Sequence, residues 1–398
     1  MLDFSEEQRQ VQKAIRAWCV QNLEPKVLGM EAGEVDVYPV MRQMAETFGI
    51  IDMIKTSFEK MKARSNQTAG QEGDVKKGIA SDPALMAILT MELSRVCPGF
   101  ALAFGASLGL FAGGVLGRGT IKQKLDYALP VLTFEKIGAW GLTEPGAGSD
   151  AFGSMKTRAK EVEGGYRITG SKTFITNAPF ADYFLIYARL SETEVRSFIV
   201  ERSDKGVATS KPFKKMGMHA SPTGEIFLDD VFVPADRLLG GNAGENARTA
   251  AKSSLNQERF GMTPMCLGMV DRCLEESIRY AKEREQWGKP IASFQLVQEK
   301  IARIYTARSI MQTLLMRQLE AEKTGTPLLG REASATKLYC ARMTTECALE
   351  AVQIMGGAGY MTGSVVEMMA RDAKLFQIGG GTDEIQMLRI ARELLEAV

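Results

Sequence analysis

Histidine is almost missing from this chain: one residue, His219, in 398. Nucleophilic hydrolysis by a Ser-His or Cys-His pair needs a histidine base, and zinc sites usually combine several His and Cys ligands. One histidine in a loop-like stretch supports neither, and no metal is expected. The six cysteines (Cys19, Cys97, Cys266, Cys273, Cys340, Cys347) form no C-x-x-C pair and fall mostly within helical patterns, so they read as buried, reduced thiols. An excess of one charge is missing as well. The 49 Lys and Arg balance 48 Asp and Glu for a formal net charge of +1, which gives no electrostatic case for nucleic acid or an anionic membrane surface. No uncharged run is read as membrane-spanning. The acidic, polar opening is not read as a signal or transit peptide. The cytoplasm is therefore the expected compartment, and the Asn66-Gln67-Thr68 sequon has no bearing there.

What is present is a globular balance: 45% apolar and 24% charged residues, on a chain long enough for two or three packed units. Ser5 followed by Gln8 makes a capping box. Val11, Ile15, Trp18 and Val20 then recur at helical spacing as far as Pro25. The helical pattern continues to about residue 130, broken by a polar stretch over residues 57–78 that reads as a loop. From 131 to 241 the segments are short, rich in Ile, Phe, Tyr, Thr and Val, and separated by glycine and charged turns, as in an antiparallel β unit. From 242 to 398 the period is helical again. One long helix ends at Gly288 and Pro290, Ser293 is expected to cap the next, and helices near 329–355 and 382–397 complete a four-helix bundle. The fold class is α+β, with an N-terminal helical domain (1–130), a central antiparallel β domain (131–241) and a C-terminal bundle (242–398).

Two motifs mislead. The stretch from Gly146 to Ala151 fits the dinucleotide pattern G-x-G-x-x-A, but Thr143-Glu144-Pro145 precedes it and no amphipathic helix opens at it. The stretch from Gly105 to Gly109 fits G-x-S-x-G, but Ser107 lies in an apolar helical run without a histidine partner. Four other stretches are informative. Residues 139–150 end a strand in a glycine-rich loop, where exposed N–H groups can approach a ring or phosphate. Residues 172–177 put Phe174 and Thr176 two apart, on one strand face. Arg284, Gln286, Trp287 and Gly288 close one bundle helix, and Gln353 to Tyr360 close another. Each alone also fits an ordinary turn or helix C-cap.

Together these stretches resemble the acyl-CoA dehydrogenase family along nearly the whole chain. The resemblance implies FAD. Trp140, Leu142 and Thr143 would lie along the isoalloxazine edge, with Phe174 and Thr176 covering a face. Arg284, Gln286, Trp287, Gln295, Gln353, Gly357, Thr382 and Glu384 match FAD contacts, those of residues 284–357 reaching the cofactor from an adjacent subunit of a homotetramer. The implied reaction takes an α-proton from an acyl-CoA while the β-hydrogen leaves as hydride, with electrons passing to an electron-transfer flavoprotein. Ser149 and Arg259 would lie on the CoA side.

The sequence departs from the family pattern at the base. Where many members carry a glutamate between tyrosine and glycine, this chain reads Ile378-Gly379-Gly380-Gly381-Thr382. Members resembling isovaleryl- and long-chain-type enzymes place the base on a bundle helix, and the matching residue is Glu258. The uncharged stretch 260–270 beside it implies burial, which would raise a carboxyl pKa toward neutrality. A salt bridge to a neighbouring helix is the alternative role for Glu258, and Glu92 is the next acidic candidate. The Gly380 N–H remains available to a thioester oxygen. Rival readings are a flavin oxidase, a desulfinase, or a flavin-binding paralogue that has lost dehydrogenation. A DNA-binding paralogue would need a basic C-terminal face, and residues 373–398 are nearly balanced in charge.

Overall fold

The structure, a computed structural model, describes residues 3–67, 82–241, 247–326 and 328–396, without the side chains of 64–67 and 247–258. The Glu258 carboxylate, the side chains of the 66–68 sequon and the polar stretch beyond Gln67 lie outside the described residues.

The Ser5–Gln8 capping box starts α1 (Glu6–Trp18) as the sequence predicts. After α2 (Val37–Thr47) and α3 (Ile50–Gln67), Asp82 caps α4 (Pro83–Val96) by accepting from the Ala84 N–H, with Pro83 in the first turn where its missing donor costs nothing. Next comes α5 (Pro98–Arg118), which contains a π-helical segment at Ala106–Ala112. Two expectations are corrected here. The stretch from Ser57 to Gln67 is helix, not loop. Phe58 and Met61, one turn apart, are buried, and that apolar pair is hidden among charged neighbours. In addition, α5 is 21 residues long and apolar enough by length and composition to cross a membrane, contrary to the reading that no run reaches that length. Most of it is inside the fold, with Phe100, Phe111 and Val115 fully covered, as befits a core helix.

Seven strands follow: β1 (Gly138–Gly141), β2 (Arg158–Val162), β3 (Gly165–Thr176), β4 (Tyr183–Arg189), β5 (Val195–Glu201), β6 (Val207–Thr209) and β7 (Thr223–Pro234). They form one sheet in the order β1-β4-β2-β3-β7-β6, with β5 also paired to β4. Most pairs are antiparallel as expected, but β1 and β2 run parallel to β4. The reason is the connection: β1 arrives from a helix rather than a hairpin and meets β4 only after two intervening strands, a crossover of the length parallel pairing requires.

The bundle consists of α6 (Ala247–Glu283), α7 (Gln295–Thr324), α8 (Gly330–Met355) and α10 (Asp383–Leu395), with α9 (Val365–Ala373) between the last two. Ser293 does not cap α7. The N-cap position is Phe294, without a side-chain bond, and the Ser293 hydroxyl donates back to the Pro290 carbonyl at 2.8 Å, closing a two-strand turn over residues 285–290.

The N-terminal helices and the bundle share one core, which includes Ile15, Trp18, Ile88, Leu93, Leu267 and Met311. Helices α4 and α6 cross so closely that a Cβ at Gly268 would lie 2.1 Å from the Met91 carbonyl oxygen. Beside the crossing, Glu92 is enclosed. Its carboxylate receives Arg16 at 2.8 and 2.9 Å and Gln12 at 2.7 Å. Three donors on one carboxylate make Glu92 a fastener between α1 and α4, not a free base.

The crossing yields a prediction. Gly268→Ala should lower stability by about 1–3 kcal/mol because backbone, not a flexible side chain, must move. Gly105→Ala, on α5 with nothing within 4 Å of the new Cβ, should be neutral or stabilising. Thermal unfolding of both variants reads the difference, and equal midpoints would refute the close crossing.

Candidate active site

The site is built where β1 ends. Ala139 is fully buried and Trp140 half-buried, its indole N–H reaching the Tyr187 hydroxyl at 3.3 Å while the two rings meet edge-on at 5.4 Å. Arg118 donates to the same hydroxyl at 3.1 Å, so the tryptophan is fixed from below by a helix and a strand. Leu142 is buried and Thr143 half-buried; the Thr143 carbonyl accepts from the Thr173 N–H at 2.9 Å, which joins the strand end to β3.

A buried ion pair, unread in the sequence, sits under this joint. Lys172 is wholly enclosed, its ammonium 2.8 Å from Glu144 and 3.1 Å from the Leu142 carbonyl. Glu144 also accepts the N–H groups of Lys156 at 2.6 Å and Thr157 at 3.0 Å. Burial pulls the Lys172 ammonium down to about 8 against the attraction of Glu144. Burial also pushes the Glu144 carboxyl up, but Lys172, Thr157 and the Lys156 N–H outweigh it and hold the carboxyl below its usual range. The pair is therefore ionised at neutral pH.

Phe174 stands two residues beyond Lys172. The β3–β7 register shifts between Lys172 and Ile175, and Phe174 takes φ +57°, so it sits on a bulge rather than on the regular strand face expected from spacing alone. Exposure still alternates there: Phe174 exposed, Ile175 buried, Thr176 half-buried. Phe174 is 69% exposed, with only an edge-on contact to Phe213 at 6.0 Å. A phenylalanine held in a strained backbone and turned to solvent is the surface a planar ring would cover, so these residues fit an isoalloxazine. Asn177, at φ +68°, pins the end of the strand. Its side chain donates to the Ala103 carbonyl and accepts from the Tyr38 hydroxyl, each at 2.9 Å.

The glycine loop lies at the start of α10. Gly380 and Gly381 take φ +62° and +91°, the left-handed region that glycine enters without penalty. Arg259, buried on α6, donates from Nε to the Gly380 carbonyl at 3.3 Å, which brings the position after Glu258 onto the loop. The structure thus places Arg259 inward against the loop. Thr382 is the N-cap of α10, accepting from the Ile385 N–H at 3.4 Å, and Glu384 is in the first helical turn. The Glu384 carboxyl is held below its usual range by its own backbone N–H and by Thr382.

The remaining predicted residues are on the outer surface. Ser149, Arg284, Gln286, Trp287, Gln295, Gln353 and Gly357 are all exposed. Trp287, at 86%, is the extreme case, touching Phe294 edge-on at 5.5 Å. Among the described residues no hydrogen bond or ring contact joins this set to Trp140 or Phe174. The two misleading motifs are also resolved. The Ser107 hydroxyl is buried and accepts from the Gly138 N–H at 3.0 Å, and the strand β2 follows the 146–151 loop. His219 is a loop fastener, within 3.3 Å of Glu31 and 2.8 Å of the Lys215 carbonyl.

Comparison with known proteins identifies the family. Residues 139–231 match the model for the acyl-CoA dehydrogenase middle domain and residues 248–395 that for the acyl-CoA dehydrogenase C-terminal domain. Mitochondrial isovaleryl-CoA dehydrogenase of Solanum tuberosum is 35% identical over 77% of this chain and 74% of its own. The short-chain specific acyl-CoA dehydrogenase of Clostridium acetobutylicum is 32% identical over 99% and 100%. The crystal structure of acyl-CoA dehydrogenase complexed with FAD from Bacillus anthracis superposes with TM-score 0.86 at 30% identity, covering 99% of this chain and 68% of that one. These matches place the chain in the acyl-CoA dehydrogenase family.

Two substitutions test the shelf. Lys172→Met leaves Glu144 buried without its cation and should cost about 3–5 kcal/mol at pH 7. The Glu144 contribution is present above the ordinary glutamate range and lost as pH falls through its lowered folded value. In the variant, protonation instead relieves a buried charge, so the gap to wild type should close below about pH 4. Denaturant melts at several pH values read this, and a gap independent of pH would reject the pairing. Phe174→Ala should leave the melting temperature almost unchanged, since the ring is exposed, while weakening flavin retention by about 0.5–1.5 kcal/mol, or 2- to 12-fold. Unaltered flavin retention by dialysis would remove Phe174 from the cofactor surface.

Proposed function

We propose that the protein is an FAD-dependent acyl-CoA dehydrogenase that converts an acyl-CoA thioester to the 2-enoyl-CoA, with Glu258 as the base and an electron-transfer flavoprotein as electron acceptor. The observation that carries this reading is the 3.3 Å hydrogen bond from Arg259 to the Gly380 carbonyl. It brings the helix position next to Glu258 onto the loop position where many family members keep their carboxylate, so a base on either element serves one place. FAD, when bound, accepts the β-hydrogen as hydride. The chain's own part is to take the α-proton at the Glu258 carboxylate and to offer loop N–H groups to the thioester oxygen as enolate charge develops. Trp140, Leu142, Thr143, Phe174 and Thr176 would hold the flavin ring. The FAD complex of the Bacillus anthracis relative supports FAD as the cofactor.

A homotetramer follows from the same reading. Arg284, Gln286, Trp287, Gln295, Gln353 and Gly357 face outward in one chain, where a second subunit's cofactor would give them a partner. Exposed Leu296, Tyr305, Tyr360 and Met361 add apolar surface for such an interface. The six cysteines are free and buried, which supports a reducing compartment such as the cytoplasm.

Glu258→Gln tests the base. The variant should keep FAD and bind acyl-CoA, yet reduce its flavin about 10²- to 10⁴-fold more slowly in anaerobic stopped flow with a panel of acyl-CoA thioesters. Adding Gly380→Glu should restore part of the rate, limited by the φ of +62° that a glutamate must adopt there. Near-normal reduction by Glu258→Gln alone would overturn the assignment. Oxygen consumption or sulfite release in place of transfer to the flavoprotein would point to an oxidase or a desulfinase.

A further inference from the structure

The carbonyls of the glycine loop are gathered on the bundle side by three side chains from three helices. Gly380 O accepts from Arg259 at 3.3 Å and from Gln386 at 3.1 Å, while Gly381 O accepts from Gln386 at 2.9 Å and from Lys337 at 2.8 Å. Lys337, on α8, is 1% exposed, and its ammonium is also 3.9 Å from the buried carboxylate of Asp383. At the other end, the N–H groups of Ile378 and Gly379 both donate to the Leu375 carbonyl. Among the described residues nothing accepts the N–H groups of Gly380, Gly381 or Thr382.

In a trans peptide the C=O and the N–H of the same plane point in opposite directions. Drawing Gly380 O and Gly381 O toward the bundle therefore turns the Gly381 and Thr382 N–H groups away from it. It also fixes the plane that follows the Gly380 N–H. Glycines at positive φ have shallow torsional preferences, so without this hold the triplet has many orientations of similar energy. Enclosing an ammonium is costly unless it is well paired. An apolar side chain of similar volume would fill the same space without that cost. Among the contacts of the ammonium is a directed bond to one loop carbonyl, which an apolar side chain cannot make.

We propose that Lys337, acting with Gln386, is a positioning residue that holds the 379–381 loop so that its free N–H groups face the thioester oxygen. The inference rests on the dehydrogenase reading of the site. Lys337 acts through the loop and not on the substrate. The thioester oxygen gains charge as the α-proton leaves, and preorganised donors are worth most at that moment.

The test uses FAD-loaded Lys337→Met and Lys337→Arg, with Gln386→Met as an independent way to loosen the same carbonyl. Two readouts are taken. One is the rate of flavin reduction by acyl-CoA. The other is the apparent pKa of a bound acyl-CoA analogue with sulfur at the β-position, which can lose its α-proton but has no hydride to give. Its deprotonation is followed by charge-transfer absorbance. Lys337→Met should reduce flavin about 10- to 100-fold more slowly, less than outright loss of a donor, and raise the pKa of the analogue. FAD content and CoA affinity should stay within a few-fold of wild type. Lys337→Arg should recover much of both readouts, and Gln386→Met should shift the pKa in the same direction. An unshifted analogue pKa in the folded Lys337→Met and Gln386→Met variants would overturn the inference, whatever their stability. Failure of wild-type enzyme to be reduced by any acyl-CoA would instead overturn the reading of the site, and this inference with it.

Discussion

The Lys172 ammonium has no access to water, and the proposed flavin shelf is arranged around it. The charge is shared between one carboxylate, Glu144, and one backbone carbonyl, that of Leu142. These acceptors lie on the loop after β1, while the lysine lies on β3, so the ion pair connects segments about thirty positions apart. Glu144 passes the constraint on through the N–H groups of Lys156 and Thr157. Trp140, Leu142, Thr143 and Phe174 are thereby set on one frame. A hydrophobic contact would also bring the two segments together. It would not fix which backbone groups meet, because burial is non-directional and a charged hydrogen bond is not.

A similar device recurs at the glycine loop. Lys337, also enclosed, donates to a backbone carbonyl, that of Gly381, and lies 3.9 Å from the Asp383 carboxylate. In both places a loop rich in glycine, with little side chain to pack, is held by its main chain. The polar seam between α1 and α4, where Glu92 receives Arg16 and Gln12, uses buried charge differently. It joins two helices side chain to side chain. Buried ion pairs add little net stability compared with well-packed apolar residues, but losing one partner is expensive. That asymmetry suits positions where the geometry matters more than the energy.

The layer order was legible in the sequence because helical and strand periods differ and the Ser5 cap marks an element start locally. Phe174 was legible as a chemically suggestive aromatic, and Gly380 as a departure from a pattern. What the sequence hid was long-range. Nothing near Lys172 indicates that its partner is Glu144, and nothing near β1 indicates that it pairs parallel to β4. The apolar run of α5 was underestimated because small residues dilute its hydrophobic texture. The helix 57–67 was missed because Phe58 and Met61 stand among charges. Ser293 was misassigned for a local reason: the 285–290 turn offers its hydroxyl a carbonyl that a helix pattern alone does not reveal.

The glycine triplet then has a physical explanation. In the proposed mechanism the α6 helix carries the proton-accepting carboxylate, and the loop retains only the work of its amides. A side chain at Gly380 would face a φ of +62°, and a Cβ at Gly381 would approach the Gln386 amide to 2.8 Å, the group that holds both loop carbonyls. Once the base resides elsewhere, glycine removes both conflicts. The cost is a main chain with no intrinsic shape, and Arg259, Gln386 and Lys337 provide it from three separate helices. Arg259 follows Glu258 directly in the chain, so the same stretch of helix that carries the proposed base also holds the loop it would work against. A shift of that helix would carry both together, which keeps their separation steadier than two unconnected elements could.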